Sequence, residues 1–431
     1  MNKMKENVMN KKLLLFQGPV FTRSGYGDHS RDLLHSLYKM DKYDIKIVPK
    51  RWGNTPQNNI PQNEFGSWML QNLATRLDRQ PDIFIQVSVA NEFEPIGKFN
   101  IGVTAGVETT VIPKDFIDGA NKMDLVIVPS NFTKQIFEKT QYQELHRETK
   151  QVVNEFRVNK PVEVLFEGVD TTVFGQESEL DILEGVEPDF NFLFVGHWLK
   201  GKLGEDRKDV GMLIRTFSTI FNYLPKDKRP GLILKTSQAG FSITDRETIK
   251  AKINDVLKGI KEPPTIYLLH GDLTQEEMNS LYQHPKVKAM LSFTKGEGYG
   301  RPLAEFASTG KPVVVSGWSG QVDFLPQENS VLLQGSLREV DDSAADKFLM
   351  KESKWFTVNY SDAANKIYQL YNDYDEYLKQ SKPLKLHIKN NFSLRKMKED
   401  FESLLDKYTD GLPTQVDFQL PKLKLPKLKK L

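Results

Sequence analysis

There is no cysteine among the 431 residues. That excludes a disulfide framework, a zinc–thiolate site and a thiol nucleophile. A long apolar run is also missing. The first twelve residues carry several lysines, but the apolar stretch behind them covers only residues 13–16 before Gly18-Pro19 breaks it. This is well short of the roughly 18 residues of a spanning helix and too short for a signal-peptide core. The expectation is a cytoplasmic protein without a targeting segment. The third absence is an excess of one charge: 59 Lys and Arg stand against 57 Asp and Glu, a net charge of +2. Nothing global then favours binding along a nucleic-acid backbone. None of the seven histidines forms a metal pair such as H-E-x-x-H, so no metal is called for.

What is present is globular: 39% hydrophobic and 27% charged residues. At roughly 100–200 residues per domain, the length suits two or three domains. Short apolar runs alternate with helical periodicity, the mark of parallel α/β architecture. In the first half, strands are predicted at 13–17, 44–48, 82–87, 101–104, 125–128 and 162–166. Helices are predicted at 28–39, with Leu33, Leu34 and Leu37 on one face, and at 131–139, with Phe132, Ile136 and Phe137 inward. An acidic, weakly patterned stretch follows, and the alternation then restarts. Strands are expected at 192–195, 232–236, 266–269, 289–293 and 312–316. A helix is expected over 208–224. Thr244 with Glu247 and Thr274 with Glu277 read as capping boxes, the first before Ile249, Ile253, Val256 and Ile260. A last amphipathic helix at 393–408 turns Met397, Phe401, Leu404 and Leu405 inward.

The expected fold class is therefore α/β, with two doubly wound Rossmann-like domains facing a cleft. The divisions are an N-terminal extension over 1–11, an N-terminal domain over 12–175, a linker over 176–190, a C-terminal domain over 191–385, a C-terminal helix over 386–410 and a basic tail over 411–431. The tail repeats Leu-Pro-Lys-Leu-Lys, and its prolines forbid a regular helix. It is either a solvated appendage or a tether to an anionic partner, DNA or a membrane surface, through residues 420–431.

One segment carries the chemistry. Residues 292–305 read Ser-Phe-Thr-Lys-Gly-Glu-Gly-Tyr-Gly-Arg-Pro-Leu-Ala-Glu. A strand ends at Phe293, a glycine-rich loop follows, and Pro302 suits the first helical position. Glu297 then lies in the loop and Glu305 in the first turn of the helix, both aimed into the crevice beyond the sheet. Gly298 and Gly300 let the backbone approach a ligand, and free N–H groups at a helix start bind phosphate or sugar oxygens. Carboxylates beside such a site call for a hydroxyl-rich partner, a ribose or a hexose. The plainer reading is a solvated loop whose Glu305 merely favours the helix dipole, by about 0.3–1 kcal/mol.

Glu297 and Glu305 in the context Glu-Gly-Tyr-Gly-Arg-Pro-Leu-Ala-Glu resemble the E-x7-E signature of retaining GT-B glycosyltransferases, family 4 in particular. The segment 125–134, ending Pro-Ser-Asn-Phe-Thr-Lys, and the Glu-Gly-Val-Asp run at 167–170 are similar to further family segments. So is the last helix, which in GT-B folds crosses back to the N-terminal domain. The resemblance spans about 13–408 and implies a nucleotide-diphosphate-sugar as donor substrate, with no other cofactor. It places Glu297 on the donor sugar, aided by backbone groups of Gly298, Tyr299 and Gly300, and Glu305 on the ribose. Lys208 matches the lysine that neutralises the diphosphate. Where the family often has Gly-Arg, this chain has Gly196-His197, so Arg207, Lys200 or Lys202 is left to supply the second positive charge. Gly25, Tyr26 and Gly27 resemble the family's first glycine-rich loop, across the cleft from the donor; a plain strand-to-helix turn is the alternative. The segment 102–110 resembles the stretch where many relatives carry an active-site histidine; it has none here, and Glu108, its nearest polar candidate, is assigned to catalysis beside Glu297, with an acceptor or sugar contact.

The implied enzyme transfers a hexosyl or pentosyl group to an acceptor hydroxyl. A nucleotide-sugar epimerase of similar fold and a silent nucleotide- or sugar-binding protein are the alternatives. Asp373-Tyr-Asp375 matches a metal motif of another glycosyltransferase fold, but lies in a helical stretch over 363–378 and reads as solvated surface. The lysine- and asparagine-rich composition is similar to that of bacteriophage-encoded glycosyltransferases, which makes modified DNA an acceptor to consider beside a glycan.

Overall fold

The computed structural model describes residues 11–53, 55–238 and 240–413. The extension over 1–11, apart from Lys11, and the tail beyond residue 413 lie outside the described residues.

Two six-stranded parallel sheets form the frame. The first contains β1 (Lys12–Gly18), β2 (Tyr43–Pro49), β3 (Ile83–Val87), β4 (Phe99–Val103), β5 (Leu125–Val128) and, after an antiparallel hairpin of β6 (Gln141–Leu145) and β7 (Val152–Arg157), β8 (Val162–Val164). Its order is β2-β1-β3-β4-β5-β8. The second contains β9 (Asn191–Val195), β10 (Gly231–Lys235), β11 (Ile266–Leu269), β12 (Val287–Ser292), β13 (Val313–Ser316) and β14 (Val331–Leu333), in the order β11-β10-β9-β12-β13-β14. A second hairpin, β15 (Gly335–Glu339) with β16 (Lys354–Val358), is appended to it. Residues 176–190 join the two sheets without regular structure.

Helices cover both faces of each sheet, so strands such as β3 and β5 are buried along their whole length. That is why they read as continuous apolar runs rather than alternating ones. The first domain carries α1 (Gly25–Met40), α2 (Glu64–Gln71), α3 (Lys114–Lys122) and α4 (Asn131–Lys139). The second carries α5 (Val210–Phe221), α6 (Ile243–Leu257), α7 (Gln275–Gln283), α8 (Arg301–Ala307), α9 (Tyr360–Asn372), α10 (Tyr374–Ser381) and α11 (Leu384–Asn391). The last helix, α12 (Leu394–Thr409), returns to the first domain. Its Met397, Phe401 and Leu405 complete the core formed by Leu33 and Leu37 of α1 and Leu14 and Phe16 of β1. The chain thus passes between the domains twice, and the two passes are bonded: Val169 N donates to Phe392 O at 2.8 Å, and Leu394 N to Val169 O at 2.9 Å.

Some local expectations are corrected. Helix α6 is capped by Ser242, whose hydroxyl accepts from Asp245 N at 3.1 Å, so Thr244 and Glu247 lie inside the helix and Ile260 beyond its end. Starting earlier lets the Asp245 carboxylate accept from Gln238 N and face His270 Nε2 at 2.7 Å. The Thr274–Glu277 box is present. The stretch over 363–378 is two helices broken at Asp373, and both Asp373 and Asp375 are exposed. Phe132 does not enter the core of its own domain. It meets Trp318 of the other domain edge-on, with ring centroids 4.7 Å apart.

Because α12 supplies core atoms to a domain more than 200 residues upstream, Phe401→Ala should destabilise the N-terminal domain. For a fully buried ring the cost is about 3–5 kcal/mol. Denaturant unfolding of the full chain should show the N-terminal transition moved to lower denaturant. An unmoved transition would mean that the helix is only appended.

Candidate functional site

The order of the second sheet reverses between β9 and β12, and ligands bind where parallel sheets make such a switch. The loops after these two strands, 196–209 and 293–300, face each other there. They are stitched by Lys295 N donating to Arg207 O at 2.7 Å. The Lys295 side chain is fully buried; its ammonium donates to Thr357 Oγ1 at 2.9 Å and lies 3.5 Å from Asp209. Tyr360 donates to the same Asp209 oxygen at 2.6 Å. Asp209 is left-handed, with φ 52°, an unfavourable setting for a side-chain-bearing residue that these two bonds support. Residues 207 and 208 are thereby turned toward Glu297.

Four charges meet at that point. Lys208 Nζ donates to Glu297 Oε1, and Thr294 Oγ1 donates to the same oxygen at 2.7 Å. Arg207 Nη1 lies 3.3 Å from Glu297 Oε2 and 3.3 Å from a Glu108 oxygen on the N-terminal domain. Burial alone would raise the Glu297 carboxyl, but Lys208 and Arg207 outweigh it and hold it below the usual carboxylate range. Burial and Arg207 push Lys208 down, against the pull of Glu297. His197 sits beside the cluster with Nδ1 3.2 Å from Ser237 Oγ, and the surrounding protein together with Lys208 and Arg207 lowers its imidazole. Its neighbour Gly196 packs against the Lys208 stem. Lys200 and Lys202 are elsewhere. The first binds Asp346 and Ala345 O, and the second is exposed with its N–H on Ser343, so Arg207 is the second cation in the cleft.

The glycines of the loop have distinct reasons. A Cβ at Gly298 would run into the Ala105 carbonyl of the N-terminal domain. The Gly298 carbonyl accepts from Ser130 Oγ of α4's N-cap at 2.6 Å. Gly300, at φ 102°, is the residue that caps the start of α8. The Tyr299 side chain turns away into the C-terminal core beside Leu303 and Phe324, leaving only its backbone in the loop. Across the cleft, Ser24 caps α1 by accepting from Gly27 N at 3.0 Å, and Gly25 is exposed. Tyr26 stacks on Trp52 at 4.1 Å and accepts from Ala105 N at 2.9 Å, bracing the loop that carries Glu108.

Glu305 is in the second turn of α8 rather than the first, because the helix begins at Arg301. It does not join the Glu297 cluster. Arg301 Nε donates to its Oε1 at 2.9 Å, and Tyr282 OH reaches its Oε2 at 3.4 Å. Burial, opposed by Arg301, pushes the carboxyl up to about 7. The sequence assigns no site role to Arg301, Asp32, Glu167, Thr294, Lys295 or Tyr282, although Glu167, Thr294, Lys295 and Arg301 fall within the quoted motifs. Arg301 had a signal, since it lies within the quoted motif one helical turn before a carboxylate that needs a counter-charge once buried.

No protein-family model matches the chain, and no curated protein sequence does. Solved structures do. Sucrose-phosphate synthase from Thermosynechococcus elongatus aligns with a TM-score of 0.58 over 92% of this chain and 99% of its own, at 12% identity. Anabaena HepE in complex with UDP and glucose aligns at 0.57 over 92% of this chain and 100% of its own, also at 12% identity. A glycosyltransferase from Rickettsia africae aligns at 0.57 over 92% and 98%, at 14% identity. The fold is GT-B. In GT-B terms, the Glu297 cluster lies between the two domains at the mouth of the C-terminal sheet. Among the described residues, no group of three or more His, Cys, Asp and Glu is arranged to hold a metal ion, and no helix is long and apolar enough to cross a membrane.

Glu167 offers a pH test of the buried acids. Burial pushes its carboxyl up to about 7. From its ordinary value up to that point the folded chain keeps a proton that the unfolded chain has lost, so stability falls as pH rises through this window. Gln cannot ionise. Glu167→Gln should therefore melt above the parent at pH 8, with the gap closing toward pH 5. A gap independent of pH would overturn the assignment.

Proposed function

We propose that the protein is a glycosyltransferase that moves a sugar from a nucleotide-diphosphate donor to an acceptor hydroxyl. The observation that carries this reading is the meeting of Lys208, Arg207, Glu297 and Glu108 at the switch point of the C-terminal sheet, inside a GT-B cleft. The solved complexes of HepE with UDP-glucose and with UDP make a uridine diphosphate-sugar the first donor to test.

Bond cleavage at the anomeric carbon leaves positive charge on the sugar and negative charge on the departing diphosphate. Lys208 and Arg207 carry fixed positive charge in a site walled off from water, where such charge stabilises a leaving anion most. On this reading they take over from a metal ion, and turn from Glu297 toward the diphosphate when the donor arrives. Glu297 is then free to accept from sugar hydroxyls and to face the cationic carbon. Glu305, one turn into α8, accepts from the ribose. Glu108 lies on the acceptor side, held toward Arg207. Retention of anomeric configuration follows from the E-x7-E resemblance. The contacts across the cleft exclude water that would otherwise hydrolyse the donor. Besides those at Gly298 they include Asn131 N donating to Asp323 Oδ2 at 2.7 Å and Thr110 N donating to Lys354 O at 2.8 Å.

Calorimetry with UDP, GDP and ADP should show binding of at least one without added metal. No binding to any of the three by folded protein would defeat the proposal. Lys208→Ala removes a charge-assisted bond of about 1.5–3 kcal/mol and should weaken nucleotide binding roughly 10- to 150-fold.

The two glutamates should separate by role. Glu305→Gln should mainly lower nucleotide affinity, and Glu297→Gln mainly turnover. Equal losses of both kinds in the two variants would refute the division.

A further inference from the structure

Six charged side chains gather where the domains touch beside the two chain crossings. They are Asp28, Arg31 and Asp32 of α1, Glu167 of the connecting segment, and Arg301 and Glu305 of α8. Arg31 is satisfied within its own domain, donating to Val20 O and Thr22 O at 2.9 Å and pairing with Asp28. Arg301 is not confined in this way. Its Nε donates to Glu305 Oε1 at 2.9 Å within α8, and its Nη1 donates to Asp32 Oδ2 at 2.6 Å on the other domain. The three side chains are only 10%, 10% and 13% exposed, so water does little of the neutralising.

The geometry suits arginine and not lysine. A guanidinium presents several donors in a fixed plane and can hold two carboxylates at once, whereas an ammonium acts as a single point charge. The carboxylate of Glu305 has about four lone-pair directions. Arg301 and Tyr282 use one on each oxygen, which fixes the carboxylate plane and leaves the others for a diol. On opening, Asp32 would leave with α1 and become hydrated, while Arg301 would stay with Glu305. On closing, the Arg301–Asp32 bond re-forms out of water, where losing one partner of an ion pair is strongly unfavourable.

We propose that Arg301 is a positioning residue working in both domains at once: it sets the Glu305 carboxylate for a ribose, and its bond to Asp32 holds the cleft shut over the bound donor. The ribose half rests on the function proposed above; the closing half does not.

The test uses the full chain, small-angle scattering with and without UDP, calorimetry with UDP, and turnover of the donor found to be accepted. Asp32→Asn keeps the shape of the side chain and removes the bond's charge. It should enlarge the radius of gyration of the free protein, leave UDP affinity unchanged, and lower turnover roughly 100-fold, the scale of a misplaced reacting group. Arg301→Lys should enlarge the radius as well and also weaken UDP binding, because Glu305 loses its orientation. Asp28→Asn is the control: it lies in the same cluster and pairs with Arg31 instead, so it should leave the radius unchanged. An unchanged radius in both Asp32→Asn and Arg301→Lys overturns the closing role. So does an equal increase in Asp28→Asn. UDP affinity lost equally in Asp32→Asn and Arg301→Lys overturns the positioning of Glu305. If Asp32→Asn fails to fold, Arg301→Lys is read by the same scattering. Failure of the parent protein to bind any nucleotide defeats the proposed function, and the scattering arm still decides whether the cleft is held by this bond.

Discussion

The cleft depends on the ionic balance around Glu297. Two cations and two carboxylates share a space largely closed to water, and each is tolerable there only because the others are present. The ammonium of Lys208 and the guanidinium of Arg207 keep Glu297 ionised despite its burial. Glu108 draws Arg207 toward the N-terminal domain. An incoming dianion can enter such a balance by exchanging partners, without requiring a bare charge to be created first.

That balance is held from behind. Lys295, fully buried, links the two loops of the switch point to hairpin strand β16 through Arg207 O, Asp209, Thr357 and the N–H of Phe356. Asp209 in turn needs Lys295 and Tyr360 to hold a left-handed backbone just before α5. From in front, the Glu297 loop is pressed against Ala105 and Ser130 of the other domain, where glycine at 298 is the residue that fits. Rigid support on one side and close inter-domain contact on the other place Glu297 within reach of both halves of the cleft.

Much of the frame was legible in the sequence, for a definite reason. A strand buried on both faces, such as β5, is a continuous apolar run and matches its predicted limits; the half-buried edge strand β11 is apolar as well and matches too. The Glu297 loop was legible because glycine, proline and carboxylate fall at fixed spacing within one segment. The hairpin β6–β7 was not, since most of its residues are exposed and show no apolar alternation. The start of α6 was misplaced because Ser242 and Thr244 are both competent caps, and the carboxylate of Asp245 decides between them through partners outside the helix. Asp32 and Arg301 are 269 residues apart in the chain, so their pairing exists only after folding. Nor does sequence periodicity tell that Tyr299 faces inward while its neighbours line a cleft.

The return of α12 to the first domain also bears on how the chain is made. Residues up to the end of β8 can form their sheet early, but the groove beside α1 stays uncovered until Met397, Phe401 and Leu405 have been added. At roughly 5–20 residues per second, synthesis of the intervening stretch takes on the order of tens of seconds, during which an apolar stripe is bare. The second domain has all its strands and most of its helices before that moment. It is therefore the C-terminal half that can be finished first as an autonomous unit, and the N-terminal half, though begun earlier on the ribosome, that is sealed last.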